Sequence, residues 1–278
     1  MLAATAAVLA SAVLHAGWNL LVKRSSDRLI AVWAQFAIAA VPFLPVLVVT
    51  GVPEPATYPF IALSAVLQGA YGVALARAYQ VGDLSVAYPV ARGVSPLLTS
   101  VGGAMLLADP LPPAGYVGVL LTCAGLLWIA SRGGRARGLG WALTTGVLIS
   151  GYMLSDTAGV RAGQDTLRYT AALFVASAVV LSVVVLARRP PGLIAASLRR
   201  TPGAHLLNAL CAGVAYGLVL VALKAAPVAY VATLRELSVV FGVLGGWLLL
   251  HEPFGGARTA GAVAVAAGIG VLMAAAIG

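Results

Sequence analysis

Arg92 and Arg235 each stand inside a long apolar run, where a guanidinium is costly unless it pairs with an acid or meets a bound anion. They are 143 residues apart (235 − 92) and each opens a copy of one stretch. The first copy is RGVSPLLTSVGGAMLLADPLPPAGYVGVLLTCAG, residues 92–125; the second is RELSVVFGVLGGWLLLHEPFGGARTAGAVAVAAG, residues 235–268. Without a gap, Ser95 falls on Ser238, Gly102-Gly103 on Gly245-Gly246, Asp109-Pro110 on Glu252-Pro253, and Gly118 and Gly125 on Gly261 and Gly268. Identity at 11 of 34 positions exceeds the roughly one in ten that so Ala/Gly/Leu/Val-rich a composition gives by chance, and low complexity does not bring Arg, Ser, an acid and Pro into step. The chain carries an internal duplication.

Two readings of the arginines stand side by side. In one, they form a pair of cations near a pseudo-symmetry axis, suited to a substrate carboxylate or phosphate. In the other, they brace helices against acids such as Glu236. Adjacent helical residues point about 100° apart, so Arg235 and Glu236 do not simply pair with each other. His15, Asn19 and Lys23, with Trp18 beside them, are spaced i, i+4, i+8 and form one polar stripe, which faces either a cavity or a polar helix contact. Tyr152 and Asp156 are spaced i, i+4; the carboxylate suits a substrate ammonium, a proton relay or a structural counter-ion. Tyr71, Tyr79, Tyr88, Tyr216 and Tyr230 flank the duplicated stretch. Those at run ends suit an interfacial belt, and the deeper ones can offer rings and hydroxyls to a small solute. Pro89 and Pro96 should disturb the helix around Arg92 and free carbonyls there. Hinges are expected at these prolines and at Pro227.

The elements that must hold these groups follow from composition. The 278 residues are 61% hydrophobic and 9% charged, where soluble domains carry about 25% charged residues. Apolar runs of about 20 residues, each long enough to cross a bilayer as a helix, recur along the whole length. Ten spans are expected, at about 2–22, 29–50, 57–80, 84–107, 113–131, 138–159, 166–187, 203–224, 227–250 and 257–277. The break 188–202 has room for a short surface helix. The fold class is all-α and polytopic. Residues 1–131 form a first five-span repeat, 138–278 a second, and the basic linker 132–137 joins them. An odd number of spans per repeat inverts the second copy, the plan of secondary transporters with a midplane site between the halves.

The net charge of +9 sits in short clusters between apolar runs, the pattern of inside-facing loops, so no nucleic-acid partner is expected. That bias places both termini outside. Cys123 and Cys211 lie in apolar runs and are read as packing residues. The three histidines fall in different spans, with no HExxH, GxSxG or P-loop pattern. No enzyme, catalytic residue, metal or cofactor is therefore expected. The small-residue pair Gly102-Gly103 reads as a close helix contact, and Asp109-Pro110 as a capped turn.

The duplicated block resembles the two EamA repeats of the drug/metabolite transporter superfamily, with an acid-Pro turn and a Gly-spaced last span in each half. Further stretches are similar to one EamA subgroup: His15-Ala16-Gly17-Trp18-Asn19 with Lys23, Tyr88-Pro89 with Arg92-Gly93 and Ser95-Pro96, Tyr152 with Asp156, and Leu234-Arg235-Glu236 with Ser238. The resemblance covers essentially the whole chain. It departs in having Asp109 where Glu is usual, and in a charge bias opposite to the family's cytoplasmic termini. It implies a central cavity opened alternately to each side, in a multi-pass protein of the inner membrane that exports small metabolites, amino acids above all. Other outcomes in view are a lipid-linked sugar or drug flippase of the same superfamily, or an intramembrane enzyme. The substrate-binding set expected is His15, Trp18, Asn19, Tyr79, Tyr88, Arg92, Ser95, Tyr152, Asp156, Tyr216, Arg235 and Glu236, with a small-molecule substrate and the lipid bilayer as partners. A monomer suffices for this plan, and Arg92→Ala is expected to lose uptake at normal abundance.

Overall fold

Apolar runs of this length become helices because every backbone polar group is then paired within its own segment. The computed structural model describes residues 1–82, 84–132, 138–241 and 256–277. The helices are α1 (Leu2–Arg24), α2 (Arg28–Thr50), α3 (Tyr58–Val81), α4 (Leu84–Leu106), α5 (Pro113–Ser131), α6 (Leu139–Ala162), α7 (Thr166–Leu186), α8 (Pro191–Arg200), α9 (Pro202–Ala225), α10 (Val228–Leu234) and α11 (Gly256–Ile277). No strand occurs among the described residues. Among the described residues, seven helices are long and apolar enough to cross a membrane. Helices α4 and α6 match them in length but not in this measure of apolarity; they carry Arg92 and Asp156. The protein is an all-helical, multi-pass membrane protein.

Local sequence sets the starts of the helices. Asp27 accepts from the backbone N–H groups of Leu29 and Ile30 and caps α2; Asp165 does the same for α7 through Leu167 and Arg168. Proline occupies the first turn of α3, α5, α8 and α9, where its missing N–H costs nothing. Gly51 ends α2 at a φ of 87°, a conformation open to residues without a Cβ. The surface helix expected in 188–202 is α8, whose Ile194 tucks against Leu29, Ile30 and Val185.

One expectation about breaks is corrected. Helix α4 runs unbroken through Pro89 and Pro96; it packs along its length on α5 and α6, and such support lets membrane helices absorb proline. The break comes instead after α10, where Arg235 and Glu236 form a turn and helix resumes at 237–241. There Glu236 N–H bonds to Thr233 O, Ser238 N–H to Arg235 O and Val239 N–H to Glu236 O, a tightened three-residue pattern. Pro227 precedes the first residue of α10. The expected span 227–250 therefore begins as α10, and its residues from 242 onward, with Gly245, Gly246, Glu252 and Pro253, lie outside the described residues. So does the linker 133–137.

Helix α5 packs on α11, α3 on α6, α1 on α9 and α2 on α7. The α5–α11 contact explains the repeated glycines. A Cβ on Gly118 would lie 2.6 Å from Gly268 O, and one on Gly125 would lie 2.8 Å from Gly261 O. These backbones touch because neither carries a side chain there, the usual way small residues bring membrane helices together. Gly102 and Gly103 are close-packed as expected, against Leu154 and Val228.

Asp109 ties the two halves of the chain at one end of the bundle. Its Oδ2 accepts from Val228 N–H at 2.8 Å and from Arg161 at 2.9 Å. It caps α10 across 119 residues of sequence, so the cap expected at this acid forms on a remote helix. Arg161 also donates to Leu223 O and Ala226 O, closing the C-terminus of α9.

Candidate functional site

A central cavity is lined by His15 and Trp18 of α1, Gln35 and Phe36 of α2, Gln68 and Tyr71 of α3, Arg92 of α4, Tyr152 of α6, Phe174 of α7, Ala212, Ala215 and Tyr216 of α9, and Arg235. Its free space for water-sized solutes is about 50 Å³. A single water needs ~10–15 Å³ of such space, so this conformation admits a few waters and must widen for a metabolite.

Arg92 is committed to other protein groups. Only 4% exposed, it donates from Nε to Glu236 Oε2 at 2.9 Å, and from Nη2 to Arg235 O and Ser238 Oγ, both at 3.3 Å. The carbonyl it reaches is in the turn that interrupts the helix. The ion pair and the break are therefore one feature: the turn aims Glu236 at α4, and Arg92 bonds to the turn's backbone.

Arg235 has a different fate. It is 5% exposed and lines the cavity, but among the described residues no carboxylate lies within salt-bridge distance of it. Its Nη1 meets Met153 Sδ at 3.2 Å, a weak acceptor, and its Nε is buried without a partner. The guanidinium carbon stands 5.6 Å from the centre of the Tyr216 ring, within cation–π range. The Tyr216 hydroxyl in turn donates to Asp156 Oδ2, and Tyr169 donates to Oδ1 at 2.8 Å. Asp156 is fully buried and is held by two phenols behind the cavity wall.

The aromatic rings form a connected surface. Tyr71, Tyr152 and Tyr216 meet edge to face, with centroids 5.9 Å apart at each contact. Trp18 Nε1 donates to His15 Nδ1 at 3.2 Å, which uses the acceptor nitrogen of a neutral imidazole and leaves Nε2–H as a donor.

Of the residues expected from sequence, His15, Trp18, Arg92, Tyr152, Tyr216 and Arg235 line this cavity. Glu236 and Asp156 stand behind it, as partners of Arg92 and Tyr216. Asn19, Tyr79, Tyr88 and Ser95 are not among its lining residues. Asn19 bonds back to His15 O in its own helix; Tyr79 lies beneath the Arg28 guanidinium at 5.8 Å; Tyr88 packs on the main apolar core; Ser95 is buried within α4. The side chain of Lys23 lies outside the described residues. Sequence reasoning missed Gln35 and Gln68. The signal was present: each is a lone amide deep in an apolar run, where an unpaired polar group is costly.

One solved crystal structure superposes with a TM-score of 0.78 over 98% of this chain and 97% of that chain, at 18% sequence identity; at that identity the likeness concerns the fold. No curated protein matches the chain. The EamA-like transporter family model matches residues 136–274, half of the sequence and the half that supplies Tyr152, Asp156, Tyr216, Arg235 and Glu236. The chain belongs to the EamA-like transporter family, within the drug/metabolite transporter superfamily.

Proposed function

We propose that the protein exports amino acids across the inner membrane by alternating access, through this cavity and between two inverted five-helix halves. The observation that carries the substrate reading is the charge of the lining. Among the described residues the lining includes two arginines and no acid, and of the two arginines only Arg92 is neutralised by a carboxylate. A cavity with one unpaired guanidinium disfavours a purely cationic solute and favours a carboxylate, which matches the guanidinium fork. The narrow lining favours a small solute over a lipid-linked one. The halves are supported by the correspondence of elements: Asp27 and Asp165 cap the second long helix of each half, and the pairing of α1 with α9 mirrors that of α3 with α6.

The test is uptake by purified protein in liposomes, with each labelled amino acid set against its decarboxylated amine, with and without a pH gradient. Amino acids should enter and amines should not. Arg235→Gln should lower amino-acid uptake about 10–100-fold, the equivalent of one charge-assisted hydrogen bond, at unchanged abundance. Uptake of amines in preference to amino acids, or full uptake by Arg235→Gln, overturns the reading.

A further inference from the structure

A second polar group in the cavity has no role in the protein's own structure. Gln35 is 7% exposed, lines the cavity, and has a buried Oε1 without a hydrogen-bond partner. Its side-chain amide makes no hydrogen bond to any described residue. That distinguishes it from Gln68, which donates to Ser64 Oγ at 2.9 Å, and from Asn208, which donates to Ala31 O at 3.3 Å. An amide in an apolar helix that satisfies nothing is costly, so it needs a partner from outside the chain. With both ends free, it can turn its oxygen inward without breaking any bond.

Gln35 and Arg235 reach the cavity from different helices. Helix α2, which carries Gln35, packs on α7 and α9, while α10, which leads into Arg235, packs on α4. The two orphaned atoms are chemically complementary: the Arg235 Nε–H is an unsatisfied donor, and the Gln35 amide oxygen an unsatisfied acceptor. The same lining carries the rings of Trp18, Phe36, Tyr71 and Tyr152 and, among the described residues, no acid to compete for a positive group. We infer that Gln35 is the ammonium anchor of the site, and that with Arg235 it selects a zwitterion bearing both an amino and a carboxylate group over molecules with only one of them. This rests on the reading of the cavity as the substrate site. Arg235 alone would accept any small carboxylate; Gln35 adds the requirement for the amine.

The experiment compares liposome uptake of an amino acid with that of the same molecule lacking its amino group. The wild-type protein should favour the amino acid about 10–100-fold, the discrimination expected of one hydrogen bond to a charged group. Gln35→Leu should bring the ratio close to one by losing amino-acid uptake, with uptake of the plain carboxylate unchanged. Gln35→Glu, which restores an acceptor and adds charge complementary to ammonium, should retain preference for the amino acid. Melting temperatures of both variants in detergent separate a folding defect from a selectivity change. If Gln35→Leu lowers both substrates in proportion, or Gln35→Glu loses the preference while remaining folded, Gln35 is a packing residue and the inference fails. If wild-type protein takes up both carboxylates equally, the inference fails while the assignment of the cavity to carboxylates survives. If it takes up neither, that assignment fails as well.

Discussion

Glu236→Gln removes the carboxylate that neutralises Arg92 while keeping its shape. The pair is 2.9 Å long, with side chains 5% and 2% exposed. At an effective dielectric constant of about 20, two unit charges at that distance attract by ~6 kcal/mol. Desolvation of each ion, several kcal/mol apiece, offsets most of this, so the intact pair contributes little net stability. Loss of one partner is another matter, because the survivor's desolvation is then unopposed; such losses cost ~3–5 kcal/mol. A Gln at 236 still presents an oxygen to Arg92 Nε, and Arg235 O and Ser238 Oγ still accept from Nη2. The expected cost is therefore at the low end, ~3 kcal/mol, or about 6–12 °C in melting temperature on the scale of soluble domains of similar size.

The assay is thermal unfolding in detergent of Glu236→Gln, and of Glu236→Leu, Arg92→Met and their double variant Arg92→Met/Glu236→Leu as a closed cycle. Each single change strands a buried charge or its acceptors. The double change strands no charge and leaves only Arg235 O and Ser238 Oγ without their donor; it should recover at least half of the summed loss of Arg92→Met and Glu236→Leu, a coupling of about 3 kcal/mol. Single losses under ~1 kcal/mol that simply add in the double variant would refute the account of this pair as a charge held by its partner. The same reasoning revises the expectation from sequence that Arg92→Ala leaves abundance normal. Arg92→Ala should lower abundance, since it leaves Glu236 buried and unpaired, and Arg235→Gln should not, since it breaks no ion pair.

Asp109→Ala should cost ~1 kcal/mol for the lost cap on Val228 N–H and at most ~1 kcal/mol more for the partly exposed Arg161 pair; Asp109→Asn should keep most of the cap, and melting curves of the two variants check the order. Gly118→Ala sets a methyl group against the backbone of α11 and should cost ~1–3 kcal/mol by forcing the helices apart. Gly270→Ala, where nothing lies within 4 Å, is the control that should melt like the wild type; equal effects of the two would rule out the close backbone contact.

The helices were legible because their ends carry chemistry that acts over a few residues: Asp27 and Asp165 as caps, proline in first turns, and Gly51 at a C-terminus. The cavity was legible where a polar residue interrupts an apolar run, as at His15, Arg92, Tyr152 and Arg235. Long-range pairing hid the rest. No proline marks the turn at 235–236; a tertiary partner on α4 holds it, and single-sequence patterns carry no trace of that. The prolines at 89 and 96 drew the expectation of a break to the wrong helix, since α4, packed on α5 and α6, stays helical through both. Tyr79 and Tyr88 have the composition of cavity residues, and which way each faces is decided by the rotation of its helix, which alternation of residue types does not fix in a helix apolar nearly all round.

The 143-residue offset between the two similar stretches sets an ion-paired Arg92 beside an Arg235 with no carboxylate partner among the described residues. Residue 93, one place after Arg92, is the counterpart of Glu236, one place after Arg235 (236 − 143 = 93), and it is glycine. A side chain at 93 is crowded: a Cβ there would sit 3.2 Å from Leu126 Cβ of α5, so the α5 side chains would have to give way. In the second copy the turn at 235–236 swings the acid toward Arg92 instead. Helix continuity in one half and its interruption in the other thus convert a symmetric sequence into an asymmetric site. The charge left over, on Arg235, sits in the cavity wall; in the function proposed above, a substrate carboxylate supplies the partner that Gly93 does not.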